Sequence, residues 1–371
     1  MNLSLLILVS FLTISTTTLS KRVVLRPEDF GAKGDGSHND TTALTETIDR
    51  CEQKGGCEIL LTSGKTYLTG PLRLISHLTL NVEESATLQS MNRTQYIEND
   101  WKPEAFLTAY FVSDLTLMGT GSIDGAGADW WSHTKDDRHY RPHLIKLHTI
   151  DELLVDGVRF ANSPNHHVYV ENCTHVRIRN IRVEAPSTSP NTDGINFSGG
   201  HDQLLENSHI SNGDDCISVV CDNANQTSND KGMGYGGNVR VSNVTCVHGH
   251  GISIGSVRHG VVRNVTMENI TLWYAENGPR IKTYPNNTGL VSDILYRNIR
   301  LHDVQRGIYI NGEYVVLFSY HDYSFKSQKK KTFDTNTQVL SKVTITISLP
   351  SWRALCLDRK CRIRRHSGEC K

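Results

Sequence analysis

The chain has 371 residues, and its 39 Lys plus Arg balance 39 Asp plus Glu for a formal net charge of zero. That balance excludes a global field drawing the molecule onto nucleic acid or an anionic membrane, so a taste for an acidic ligand has to come from a local cluster of cations. The length suits either two average domains or one long repetitive one.

In chain order, the first feature is an apolar run from Leu3 to Ile14, followed by a Ser/Thr-rich stretch to Ser20 and then Lys21-Arg22. We read residues 1–20 as a secretory signal peptide cleaved near Ser20. The run is short for a membrane span, and no other segment approaches that length, so the mature chain is expected to be soluble and free of membrane. Sequons at Asn39, Asn92, Asn172, Asn196, Asn225, Asn243, Asn264, Asn269 and Asn286 fit export, although those inside strands need not carry sugar. Nine cysteines fit an oxidising compartment. They lack the paired spacing of a zinc site, and their odd number leaves at least one thiol unpaired in an oxidised monomer.

Asp29 to Gly36 is a turn-rich opening, and Asn39-Asp40-Thr41 can cap a helix. Ala43, Leu44, Ile48 and Cys51 give that helix an apolar stripe at helical spacing. After Gly55-Gly56 the pattern changes to short strands, such as Ile59-Leu60-Leu61 and Leu78-Thr79-Leu80, with no second helix expected before residue 312 or so.

A weak repeat then recurs: a short strand of alternating apolar residues, an Asn or Gly, and another apolar residue. Copies are Leu154 to Val158, Val176 to Ile181, Val239 to Val244, Val261 to Val265 and Ile294 to Ile299, with a fainter one at Leu204 to Asn207. The intervals suit a solenoid and are short for propeller blades. Asn at a fixed place fits a turn in which it takes the left-handed conformation and stacks on its neighbours. The expected fold is therefore all-β, a parallel β-helix whose open end is plugged by the N-terminal helix. We place it at residues 21–314 and leave 315–371 as a divergent basic segment. That segment holds Lys329-Lys330-Lys331, Cys356, Cys361 and Cys370, and it reads as a divergent tail more readily than as a basic flap.

Four short motifs carry chemistry: Asn191-Thr192-Asp193-Gly194, Gly213-Asp214-Asp215-Cys216, Gly249-His250-Gly251 and Arg280-Ile281-Lys282. Singly, each has a bland reading as a solvated turn, a structural histidine or a solvated strand face. Their spacing changes this. Asp193 to Asp214 is one coil, Asp215 to His250 is one coil plus a Gly-rich insertion around Gly232 to Gly237, and His250 to Arg280 is one more. Coils stack about 4.8 Å apart, so the motifs meet as rungs on one face. Carboxyls crowded in this way titrate apart, which suits glycoside hydrolysis by one acid and one water-activating carboxylate. Arg280 and Lys282 alternate onto one strand face and can clamp a sugar carboxylate. Asp214 and Asp215 are adjacent, and both reach one face only if the backbone kinks; Gly213 permits this and a disulfide at Cys216 would pin it.

With these motifs in this order, the chain from about Asp29 through Tyr314 resembles the polygalacturonases, the pectin-hydrolysing glycoside hydrolase family with a right-handed parallel β-helix fold. The resemblance implies hydrolysis of α-1,4-galacturonosidic linkages with inversion and without metal or other cofactor. Asp214 would be the general acid, Asp193 and Asp215 would hold and activate water, and His250 would support the acid. Arg280 and Lys282 would bind the galacturonate carboxylate, with Asn191 as a neighbouring site residue. It also implies a Cys216–Cys246 disulfide, with Cys51–Cys57 as a local pair. The expected setting is a secreted monomer, extracellular or in the cell wall, with pectin as its partner and no nucleic acid. Ile308 to Tyr314 resembles the family's next strand, but residues 315–341 read as an inserted or mis-spliced stretch, and loss of closing coils would expose apolar rungs. Two rival readings follow: a calcium-dependent lyase on the same fold, and an inactive pectin-binding homologue.

Overall fold

The computed structural model describes residues 22–133, 141–221, 235–257, 260–284, 289–312 and 314, together with the strand Gln338–Ser348. The signal peptide, the sequons Asn225 and Asn286, the triple lysine and the last three cysteines lie outside the described residues.

Three ladders of short strands wind into a right-handed parallel β-helix. Two of them run through a 17-stranded sheet and the third is a separate 9-stranded sheet. The two ladders are distinct through Thr174–Arg179 and Arg182–Glu184, and then merge into single long strands from His201–Asn212 to Leu290–His302. Register explains the core. Ile145, Val168, Ile195, Ile217 and Ile252 are successive partners in the 9-stranded sheet, and all are fully buried. Their neighbours Lys146, Tyr169, Asn196, Ser218 and Ser253 form the alternate column on the other face of the same strands.

The expected asparagine turns are present. Asn180, Asn207, Asn243, Asn269 and Asn298 have φ between 51° and 57°. They stack, with Asn243 Nδ2 donating to Asn207 Oδ1 at 2.7 Å and Asn298 Nδ2 to Asn269 Oδ1 at 3.0 Å. One copy of the repeat is corrected. Val265 pairs with Ile294 and Glu268 with Arg297, which makes Asn269, not Asn264, the counterpart of Asn298. Asn264 belongs to a second ladder and donates to Asn238 Oδ1 at 2.5 Å. In the strands Tyr235–His248 and Val261–Trp273 an Asn followed by an apolar residue marks both turns, so the local pattern there cannot tell one from the other.

The helix Thr41–Gln53 buries Ala43, Leu44, Thr47, Ile48 and Cys51 against the first strands, as its stripe requires. Asp40 is its N-cap residue, but the Asp40 carboxylate accepts instead from the Lys33 and Gly34 amides at 2.8 and 3.0 Å. It thereby ties the turn-rich opening to the helix start. The expectation of no further helix fails twice. Arg93–Glu98 begins in a capping box of Asn92 and Gln95, and Ala128–Trp131 is a single turn. Both are too short to show a period. Tyr96 packs edge-on against Trp101 and Trp130, each with ring centroids at 5.6 Å, in a small cluster apart from the main core.

Beyond the last rung, Gln338–Ser348 pairs with Leu290–His302. It is the one antiparallel pairing among the described strands, and it covers backbone at the end of the larger sheet. That strand comes from the stretch in which the sequence shows no coil pattern.

Candidate active site

All seven residues singled out from the sequence converge at the 9-stranded sheet. The rung assignments shift, by one for the aspartates, by one for His250 because Asp215 pairs with Gly251, and by three for Arg280, which pairs with Ser253. Ile195 pairs with Ile217, so the counterpart of Asp193 in the next coil is Asp215, and the Gly194 amide donates to the Asp215 carbonyl at 2.9 Å. Asp214 is the last residue of the preceding turn, and Asp215 opens the strand Asp215–Val220. That resolves the difficulty of two adjacent aspartates, because only one of them is bound by the alternation of a strand.

The turn is built by close packing. A Cβ on Gly213 would lie 2.1 Å from the Ser189 carbonyl oxygen, so only glycine fits. Asn212, fully buried, donates to the Thr192 carbonyl at 2.7 Å and the Asp215 carbonyl at 2.9 Å, bolting together the two aspartate-bearing turns. The Cys216–Cys246 disulfide anchors the strand start to the neighbouring ladder, and Cys51–Cys57 closes the end of the capping helix. Gly249 has φ +65° and passes close over the Asp214 carbonyl, which accepts from the His250 amide at 2.9 Å.

Each carboxylate has its own partners. Asp215 is almost completely buried, with Ser253 Oγ donating to Oδ1 at 2.7 Å, an Arg280 guanidinium nitrogen to Oδ1 at 3.1 Å and Lys282 Nζ to Oδ2 at 2.6 Å. Arg280 and Lys282 do share a face, and here that face is turned to Asp215. Burial pulls Lys282 down, but the Asp215 charge outweighs it and holds the ammonium above its ordinary value. Tyr314 lies under both cations, its ring centroid 5.6 Å from the Arg280 guanidinium carbon and 5.4 Å from Lys282 Nζ.

Asp214 Oδ1 meets His250 Nδ1 at 2.8 Å, and Asn191 Nδ2 reaches Oδ2 at 3.4 Å. Burial pushes Asp214 up, but the hydrogen bond and charge of His250 win and take it to about 2. The same hydrogen bond raises His250. His250 Nε2 also faces Glu276 at 3.6 Å, and Glu276 accepts from Arg306 at 2.6 Å.

Asp193 behaves oppositely. Burial raises its carboxyl; His166, 3.1 Å away, opposes this, and the charges of Asp214 and Asp215 reinforce it. The site thus contains one carboxyl pushed up, Asp193, and one pushed down, Asp214, so the two titrate apart. Asp214, Asp215 and His250 also present ligand atoms within 4.8 Å of one another, a spacing a divalent cation could use. Two cations already satisfy Asp215, so such an ion would meet a site whose negative charge is largely compensated.

Several site residues escaped the sequence reading. Arg141, buried, donates to Asn191 Oδ1 at 2.8 Å and to the Pro164 and Pro190 carbonyls at 3.1 and 3.0 Å, and so fixes the loop before Asp193. Ser253 and Tyr314 contact the charged cluster without belonging to a recognisable motif. His166 carried no signal of its own in the sequence, and only the register reveals it. Val168 pairs with Ile195, so one coil back from Asp193 falls on His166.

Comparison with known proteins places the chain in a family. Residues 51–347 match the model of glycosyl hydrolases family 28. A probable polygalacturonase of Arabidopsis thaliana is 33% identical over 314 residues, covering 81% of this chain and 67% of its own. Polygalacturonase-2 of Solanum lycopersicum is 30% identical over 308 residues, covering 78% of this chain and 63% of its own. This chain thus spans roughly two thirds or less of the length of these relatives. Among solved structures, the polygalacturonase of Erwinia carotovora superposes with a TM-score of 0.68 at 26% identity, over 80% of this chain and 81% of that one.

Proposed function

Because the chain belongs to glycosyl hydrolases family 28, we propose that it hydrolyses the galacturonosidic bonds of polygalacturonate by an inverting acid/base mechanism at Asp193, Asp214 and Asp215. The observation that carries this reading is the convergence of three aspartates with Arg280 and Lys282 at one spot on the 9-stranded sheet. In the proposed reaction water attacks the anomeric carbon, Asp193 with Asp215 holds that water and takes its proton, and Asp214 gives a proton to the departing glycosidic oxygen.

In the free site Asp214 is ionised against His250, which is the wrong state for an acid. An anionic substrate corrects it. A galacturonate carboxylate drawn to Arg280 and Lys282 competes with Asp215 for both cations and adds negative charge beside Asp214. Both effects favour the protonated acid. Substrate binding and acid protonation are therefore coupled, and hydrolysis should peak at acidic pH.

The deciding experiment is reducing-sugar release from polygalacturonate by the wild type and Asp214→Asn, with chelator present and both shown to be folded. The expected result is activity in the wild type and a loss on the order of a hundredfold or more in the variant. Activity abolished by chelator, with an unsaturated ultraviolet-absorbing product, would instead assign a cation-dependent lyase to the Asp214, Asp215 and His250 set. A folded wild type that binds polymer without cutting it would assign an inactive homologue. The two disulfides fit the proposed secretion to the cell exterior or wall. Among the described residues no helix is long and apolar enough to cross a membrane.

A further inference from the structure

His166 occupies the rung below Asp193 and has no place in the motifs so far described. Its Nδ1 faces two partners at once, Asp193 Oδ1 at 3.1 Å and the Asn196 side-chain amide nitrogen at 2.7 Å. Only a protonated Nδ1 can donate to the carboxylate, and only an unprotonated one can accept from the amide. The ring therefore has two hydrogen-bonding states, one of which holds the Asp193 carboxylate.

The surroundings decide which state prevails. From the strand His143–His148, the His143 ring lies 4.8 Å away, and burial pushes His143 down so that it stays neutral. From Val168–Glu171 comes Tyr169, at 5.9 Å. The adjacent His167 is also neutral, lowered to about 4 by burial, and its Nδ1 donates to the Asp193 carbonyl at 3.0 Å. From the following rungs come the charges of Asp193, Asp214 and Asp215. Uncharged rings lie on one side, with the cations Lys146 and Arg141 beside His143, and carboxylates lie on the other. Burial alone would lower His166, but the carboxylates outweigh it and raise the ring, with Asp193 the largest of them.

We propose that His166 is a positioning residue for Asp193: its protonated ring, through the Nδ1–H···Oδ1 contact, aims that carboxylate and opposes the effect of burial on it, so that it can take the proton of the attacking water. The proposal rests on the hydrolase reading above. His166 forms no bond to the sugar. It supplies a positive charge that keeps Asp193 deprotonated down to lower pH than its buried setting would otherwise allow. Asn196 holds the ring in place when the proton leaves. Asn196 is itself 3% exposed, so this sequon asparagine is committed to the site and unavailable to a glycan.

Two measurements on the full chain test this. The first is the pH profile of kcat for polygalacturonate hydrolysis in the wild type and His166→Gln. An opposite charge removed from this distance should move the acid limb up by about one unit or more, with kcat falling on the order of tenfold below that limb and KM changing little. A uniform loss at every pH, or an unchanged profile, overturns the proposal, because a purely structural role would not shift the limb. The second is NMR titration of the His166 ring in the wild type and Asp193→Asn, which remains informative if His166→Gln does not fold. The midpoint should drop when the carboxylate is neutralised, and an unmoved midpoint overturns the pairing. If the wild type releases no reducing sugar, the hydrolase reading fails, and the titration then decides the His166–Asp193 pair independently.

Discussion

Asp214 and His250 stabilise each other, and the sign of that stabilisation can be read on both sides of neutrality. Asp214 sits at about 2 against an ordinary 3.8, so its contribution is complete above the ordinary value and is lost as the pH falls toward 2. His250 is raised above 6.5, so its contribution is complete below that value and is lost as the pH rises through its folded midpoint. Asp214→Asn removes the titrating carboxyl and the largest cause of the His250 shift, leaving the smaller effects of Asp215 and Glu276. The variant's thermal midpoint should fall less than the wild type's between pH 4 and pH 2, and less again on passing upward from neutrality. Parallel curves for the two proteins would show that the pair is not formed. At this scale the residue types and their order were legible, but their partners were not. Arg280-Ile281-Lys282 reads as a clamp for a sugar carboxylate, whereas in the fold both cations face Asp215 until something displaces it. No spacing rule contains that information, because the pairing spans three rungs of the sheet.

At the scale of the element, each coil depends on residues that accept a left-handed backbone at its corners. Asn243, at φ +54° and exposed, is such a corner, with its amide bonded to Asn207 in the coil below. Asn243→Ala should cost roughly 1–2 kcal/mol in urea unfolding, because alanine has no local hydrogen bond to offset the left-handed penalty. Asn243→Gly should cost clearly less, since glycine accepts the angle freely. Equal losses would mean that the ladder hydrogen bond matters and the backbone angle does not. The asparagines were visible in the sequence as a repeat, but assigning Asn264 to the same corner as Asn298 was an error of register. Both corners of the Val261–Trp273 strand carry the same local signature, and only the pairing of Val265 with Ile294 separates them. The short helices Arg93–Glu98 and Ala128–Trp131 were missed for a related reason, being briefer than the window in which a helical period can be recognised.

For the whole molecule, a solenoid is held by neighbour-to-neighbour contacts, so its two ends are where it is vulnerable. The first end is covered by the amphipathic helix Thr41–Gln53, whose apolar stripe announced it. At the far end of the larger sheet, Gln338–Ser348 runs antiparallel along Leu290–His302 and occupies backbone groups that would otherwise template another chain. A chain ending at Thr337 should therefore leave that edge open and self-associate, which size-exclusion chromatography across a concentration series would detect. A truncated chain that elutes as the full-length protein does, at every concentration, would show that this strand does not protect the edge.

The sequence by itself determined the coil and which polar residues gather on it. Alternating apolar residues, left-handed asparagines and four motifs at coil spacing can be read one segment at a time, because each depends only on residues close along the chain. The tertiary structure decided what faces what. It set Asp193 opposite Asp215 and left Asp214 in the turn, brought His166 under Asp193, and turned Arg280 and Lys282 toward Asp215. It also laid a strand from the segment beyond the recognisable coils along the end of the sheet. These outcomes depend on strand register between coils, where a shift of one residue exchanges the inner and outer faces. Register is fixed by packing across the whole tube, and no single segment carries it.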